Sequence, residues 1–250
     1  AIEARVLMWF CGEERAVKMF EDGVDIYVDM AKKIGQGATR QQGKQAFLGC
    51  GYGMGYKKFI QTGLTYKIDI PVALGIRAVK AYRTSYPKVP QMWYAQERAA
   101  IRAVSRGGAV PCGRVTWEKR GDFLWCRLPS GRSLAYHKPE IRTSEEHAPR
   151  LSYMTTDSMT KKYTRKDTYG GKIIENIIQA AARDLLASAL LSAERKGYKP
   201  VMHVHDEIVV EVPEGVGSVG EFEKIICAAP AWAKGCPISA EAERAKRYRK

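Results

Sequence analysis

Two runs rich in β-branched residues, Pro200 to Val204 and Glu207 to Val212, stand only two residues apart. So short a link cannot carry a parallel crossover, so the runs must fold back on each other as an antiparallel hairpin. The linking residues are His205 and Asp206. A tight turn lifts Asp206 above the sheet rim, where a carboxylate can reach a metal ion bound outside the fold. Mg²⁺ takes hard oxygen ligands and commonly needs only one or two protein carboxylates together with phosphates. An ordinary surface hairpin is the competing reading, because Asp is frequent in turns. The string His-Asp-Glu between two apolar strands weakens that reading.

The residues before the hairpin predict a strongly amphipathic helix over 171–195. Ile174, Ile177, Ile178, Ala181 and Leu185 share one face, and Glu175, Gln179 and Arg183 recur every four residues on the other. A solvated face is the usual meaning of such a polar stripe, but the basic Tyr169–Lys172 stretch before it points to nucleic acid. Residues 160–172 read as a polar, basic linker. Short β-type runs between 107 and 143, with turns near Lys119–Asp122 and Pro129–Gly131, predict hairpins. Helical spacing covers 2–20 and about 25–34, with Gly35-Gln36-Gly37 as punctuation. Helix is also expected in parts of 39–62 and over 72–105, broken near Pro87 and Pro90.

A second candidate segment is Arg40 to Gly53. Arg40, Lys44, Leu48 and Tyr52 recur every four residues and line one face of a helix, reading cation, cation, apolar, aromatic. Such a face could grip a triphosphate at one end and pack a base pair at the other. Gly49, Gly51 and Gly53 leave room for a nucleobase or strand. The Gly43-Lys44 pair lacks the following Ser or Thr of a phosphate-binding P-loop.

Lys and Arg total 41 against 27 acidic residues, a formal net charge of +14. Basic side chains gain affinity for polyanions by releasing counterions, so this imbalance favours a nucleic-acid partner without saying which one. Six cysteines form no CxxC pair, which argues against zinc and for reduced structural thiols. No apolar run is long enough to span a bilayer, and a cytoplasmic protein without a membrane partner is the expectation.

In content and order, these segments resemble the family A (polymerase I-like) DNA polymerases, particularly phage members. Arg40-xxx-Lys44-xxx-Leu48-Gly49-xx-Tyr52-Gly53 is similar to the family's motif B, and Val204-His205-Asp206-Glu207 to motif C. Ile2-Glu3-Ala4-Arg5 resembles the second half of motif A. Asn176 to Gln179 resembles the helix between B and C. The Leu128–Arg132 and Trp232–Pro237 strings are like those of phage members.

The resemblance implies an α+β, right-hand fold: an antiparallel palm sheet carrying motifs A and C, with a mostly helical fingers subdomain inserted. Its boundaries fall at 1–35 for the palm after the motif A strand, 36–110 for fingers, 111–165 for a hairpin-rich connection, and 166–250 for the palm with motif C. It also implies roles. Asp206 ligates two Mg²⁺ ions, with Glu207 beside it and His205 near the primer end. Arg40 and Lys44 hold the incoming triphosphate, Leu48 stands where the family usually has Phe or Tyr, and Tyr52 lies near the templating base. Glu3 blocks a ribose 2′-OH and so favours dNTP over NTP, which argues against a single-subunit RNA polymerase. Gln179, Arg5 and Lys172 contact DNA.

The implied partners are primer-template DNA, dNTPs and an N-terminal polymerase chain or segment. That segment carries the thumb and the motif A aspartate, since Ala1 falls three positions after it. In this reading the chain is phage-encoded and works in the cytoplasm of a bacterial host. The alternative function is a catalytically inactive, basic nucleic-acid-binding scaffold derived from a polymerase.

Overall fold

The computed structural model describes residues 2–35, 37–144 and 147–248. Ala1 and Gln36, which enter the readings above, lie outside them.

The expected helical stretch over 2–20 is two helices, α1 (Ile2–Cys11) and α2 (Glu14–Glu21). Gly12 divides them at φ 73°, a left-handed backbone that glycine adopts without steric cost. Next, α3 (Ile26–Ile34) is capped by the Asp25 carboxylate, which accepts from the Tyr27 and Val28 amides. Thr39 and Gln42 form a reciprocal capping box at the start of α4 (Arg40–Cys50). The helices α5 (Tyr56–Thr65), α6 (Val72–Ser85) and α7 (Lys88–Arg106) follow. Only one of the two expected proline breaks occurs. Pro87 separates α6 from α7, whereas Pro90 sits in the first turn of α7, where its missing N–H has no intrahelical acceptor to lose.

A six-stranded antiparallel meander comes next: β1 (Ala109–Cys112), β2 (Val115–Arg120), β3 (Phe123–Arg127), β4 (Ser133–Ser144), β5 (His147–Thr156) and β6 (Tyr163–Thr168), adjacent in that order. The reading of 160–172 as a linker is therefore corrected. Six of its thirteen residues are β6, paired from Thr168↔Leu151 to Tyr163↔Thr156, and helix resumes at Gly170 after Tyr169 alone. Chain connection runs on through α8 (Gly170–Arg195), the hairpin β7 (Lys199–Val204) and β8 (Glu207–Glu211), α9 (Val219–Cys227) and a 3₁₀ turn (Ala231–Ala233).

The class is α+β, but the hairpin with Asp206 is a separate two-stranded sheet and does not join the meander. The main core gathers α1, the inner faces of α4, α6 and α7, one face of the meander, and the apolar stripe of α8. Val6, Met8, Phe47, Tyr82, Trp117, Leu124, Ile173, Ile174, Ile177 and Ile178 are all fully enclosed there. Burying each large aliphatic or aromatic side chain contributes about 1.5–3 kcal/mol. A satellite core of Ala193, Tyr198 and Phe222, packed by Ile208 and Val210, seats the β7–β8 hairpin between the end of α8 and α9.

Polar links join these layers. Buried Gln96 of α7 accepts from the Trp117 indole at 2.7 Å and donates to the Cys112 carbonyl at 3.0 Å. Arg132, in the turn between β3 and β4, pairs with Asp184 of α8 at 2.6 Å and donates to the Ala180 carbonyl. Ser130 donates to the same carboxylate. The Leu128–Arg132 string thus clamps the meander to α8. All six cysteines are free, and burial pushes Cys50 and Cys236 up to about 12. No helix among the described residues is long and apolar enough to cross a membrane.

Candidate active site

The Val204↔Glu207 pair closes the hairpin with a two-residue turn. His205 has φ 51° and Asp206 a negative φ, the sign pattern of a II′ turn. Both side chains are exposed at the tip. Glu207 turns back toward the fold, where its carboxylate accepts from the Tyr248 hydroxyl at 2.8 Å.

The charge at the tip is felt at the start of α1. The Glu3 carboxyl is half-buried, and its pKa is raised above the ordinary 4.5. Burial is the largest cause, followed by the negative charge of Glu175; Asp206 adds to it, while the nearby Tyr52 hydroxyl works the other way. Three carboxylates from distant parts of the sequence (α1, α8 and the hairpin turn) therefore share one electrostatic neighbourhood, with Tyr52 among them. Tyr52 itself is pushed well up, first by burial and then by Glu3 and Glu175, which keeps its hydroxyl protonated and available as a donor.

Tyr52 lies two residues past the end of α4. The helix ends at Cys50, and Gly51 to Gly53 form a turn in which the Tyr52 amide still bonds back to the Gly49 carbonyl at 3.1 Å while its hydroxyl shares the neighbourhood of Glu3 and Glu175. The glycines expected to admit a nucleobase admit parts of this chain instead. A Cβ at Gly49 would stand 2.6 Å from the Met54 methyl, and one at Gly51 2.6 Å from Leu7. Gly53, at φ +88°, faces Tyr169 and Gly171. The carbonyl of Gly51 accepts from the buried Trp93 indole at 2.8 Å.

The remaining predicted residues divide by their surroundings. Lys44 and Leu48 are half-exposed on the outer face of α4, and Lys44 makes no ion pair among the described residues. Arg40 pairs with Asp25 at 2.7 Å and lies over the Tyr27 ring. Gln179 is exposed on α8. Lys172 pairs with Glu175 at 3.0 Å. Arg5 is turned inward. It donates to the Pro237 carbonyl at 2.9 Å, stacks over Phe20 at 4.7 Å and loses basicity to burial, so it joins α1 to the C-terminal segment. The sequence places Glu175 only in the polar stripe of α8, yet it is the strongest charged neighbour of Glu3. Its spacing from Lys172 was the available sign, since residues three apart on a helix meet. Arg183, four residues beyond Gln179, lies against the His203 ring of β7 at 3.3 Å.

No group of three or more His, Cys, Asp or Glu side chains among the described residues could hold a metal ion. Asp206 offers one exposed carboxylate at the hairpin tip, a hard oxygen donor of the kind Mg²⁺ takes together with phosphates.

No family model matches the chain. It is similar to the DNA polymerase of Bacillus phage SP02, with 38% identity over 262 residues covering the whole of this chain. The chain spans 40% of the length of that relative.

Proposed function

We propose that this chain is the palm-and-fingers part of a template-directed DNA polymerase of the family A type. The observation that carries the reading is the two-residue hairpin turn that exposes Asp206, whose charge is felt at Glu3, in a chain whose whole length aligns with a phage DNA polymerase. The reaction joins the primer 3′-oxygen to the α-phosphorus of a dNTP and breaks the bond to pyrophosphate. Two Mg²⁺ ions, when bound, supply the Lewis acidity that activates the 3′-OH and stabilises the leaving group.

Asp206 is the carboxylate this chain contributes, and a second one comes from an N-terminal polymerase segment outside this sequence. Lys44 and Arg40 receive the triphosphate. Arg40 must leave Asp25 to do so, a small barrier because both partners are largely exposed and such pairs are worth about 0–1 kcal/mol. Glu3, held by Tyr52, borders the sugar and disfavours a 2′-OH. His205 sits beside the primer end and Gln179 in the minor groove of the primer-template. The alternative is a catalytically inactive, basic nucleic-acid-binding scaffold derived from a polymerase, which the net charge of +14 fits equally well.

Primer extension in Mg²⁺ decides between the two. The chain is assayed alone and together with a segment that supplies the motif A aspartate. Extension by the mixture, abolished by Asp206→Ala, is the expected result. Extension that survives Asp206→Ala would overturn the assignment, and DNA binding with no turnover in any mixture would establish the scaffold.

A further inference from the structure

The meander buries one face, through Trp117, Leu124, Cys126 and Tyr136. Strand residues alternate between faces, so Phe123 and Trp125 stand on the opposite, solvent side. There the rings form a continuous row. Trp125 and Phe123 have centroids 5.5 Å apart, Phe123 stacks on His137 at 4.7 Å with planes 29° apart, and His137 lies 6.1 Å from Tyr163. Register explains the row, because Phe123 pairs directly with His137 across β3 and β4. Phe123, Trp125 and His137 are only half-covered, and Tyr163 is 55% exposed.

Cations flank the rings. Arg120 lies over Trp125 at 5.7 Å, and Arg127, two residues along the same face, makes no ion pair among the described residues. The β5–β6 turn beside Tyr163 adds exposed Lys161 and Lys162. Residues 109–168 carry twelve Lys and Arg against seven Asp and Glu, a net +5, so the sheet is basic as well as aromatic.

We infer that this face is a binding platform for single-stranded DNA. Exposed rings offer π-faces on which unpaired bases stack, and interleaved cations follow the phosphates; a duplex hides its base faces from such a surface. The platform is a separate element from the hairpin and α1 that carry Asp206 and Glu3. The choice of DNA over RNA rests on the polymerase reading, in which the strand is the template outside the duplex.

Fluorescence polarisation with labelled oligo-dT tests the platform on the full chain. The variant is Phe123→Leu with Trp125→Leu, which keeps apolar bulk but removes two stacking faces, and its fold is checked by circular dichroism. The expected result is dT affinity weaker by roughly 10-fold or more, with blunt duplex and oligo-U competing poorly. Unchanged affinity in the folded variant, or equal competition by blunt duplex, overturns the inference; tighter binding of oligo-U makes it an RNA surface and overturns the choice of DNA. If the variant does not fold, photo-crosslinking of the wild-type chain to 5-iododeoxyuridine DNA replaces it. Crosslinks at Trp125 or Tyr163 support the platform, and crosslinks confined to α4 and the hairpin exclude it. Primer extension on the same preparations, each mixed with the segment that supplies the motif A aspartate, separates the two proposals. Lost dT affinity with no extension in any mixture leaves the platform and removes the polymerase reading, and extension with undiminished dT affinity does the reverse.

Discussion

Gly171 lies so close beneath the main chain of Tyr52 that a Cβ at that position would stand 2.3 Å from the Tyr52 carbonyl oxygen. The start of α8 and the turn after α4 are thereby in backbone contact, and this contact helps to aim the Tyr52 hydroxyl at Glu3. Gly170 makes the equivalent approach to the Trp93 main chain, again at 2.3 Å. The Gly-Gly pair is therefore a packing device. Its neighbour Lys172 is ion-paired with Glu175.

Gly171→Ala should reverse the usual helix preference. In an open helix alanine gains about 1 kcal/mol over glycine. Here the methyl group meets a carbonyl that cannot move without shifting the whole turn, and overpacking of this kind costs about 1–3 kcal/mol. Urea denaturation should show net destabilisation. A variant more stable than wild type would mean that the α8 and α4 segments are not in backbone contact.

Trp93→Phe tests the other tie on the same turn. The indole donates to the Gly51 carbonyl from a buried position, and phenylalanine fills most of the volume without the donor. Leaving that carbonyl unsatisfied costs about 1–3 kcal/mol. If the turn also positions Tyr52 and Glu3 for chemistry, extension by the reassembled enzyme should fall while binding of blunt duplex stays unchanged. An unaltered urea midpoint would show that the hydrogen bond contributes nothing.

Much of this was readable in the chain, and the failures have physical causes. The α8 stripe of Ile174, Ile177, Ile178, Ala181 and Leu185 is buried as its periodicity predicts, and a two-residue link between β-rich runs leaves no topology but the hairpin. By contrast, β6 is Tyr-Thr-Arg-Lys-Asp-Thr, an edge strand with almost no apolar alternation, so it reads as a linker until β5 supplies its hydrogen bonds. Tyr52 fits a four-residue spacing with Arg40, Lys44 and Leu48, but periodicity cannot see that the helix stops at Cys50. Arg5 looked like a free cation because its acceptor, the Pro237 carbonyl, lies 232 residues away. The neighbourhood of Glu3, Glu175 and Asp206 is likewise a product of tertiary folding.

Glu3 gives the stability a pH dependence whose sign can be worked out. Its folded-state pKa is raised, chiefly by burial and then by Glu175, so the folded chain holds this proton more tightly than the unfolded one. The contribution is fully present below the unfolded value and is lost as pH rises through the raised folded value. Glu3→Gln removes the charge while keeping an acceptor for Tyr52. At pH 7 it should melt roughly 1–3 °C higher than wild type, and the gap should close near pH 4. A gap that is constant with pH would mean that charge at this position does not titrate with folding.

His205 is the one residue of the site held in a left-handed backbone without being glycine. That conformation costs about 1–2 kcal/mol for a residue with a Cβ, and glycine adopts it freely but loses more entropy on folding. His205→Gly should therefore raise the unfolding free energy modestly, by up to about 1 kcal/mol and seen as a higher urea midpoint, because its exposed ring leaves no packing to lose. If the strain is retained because the imidazole serves the primer end, the same variant should extend primers more slowly, most visibly in kcat. Greater stability with undiminished extension would leave His205 as a turn residue alone and place the chemistry of the hairpin tip on Asp206.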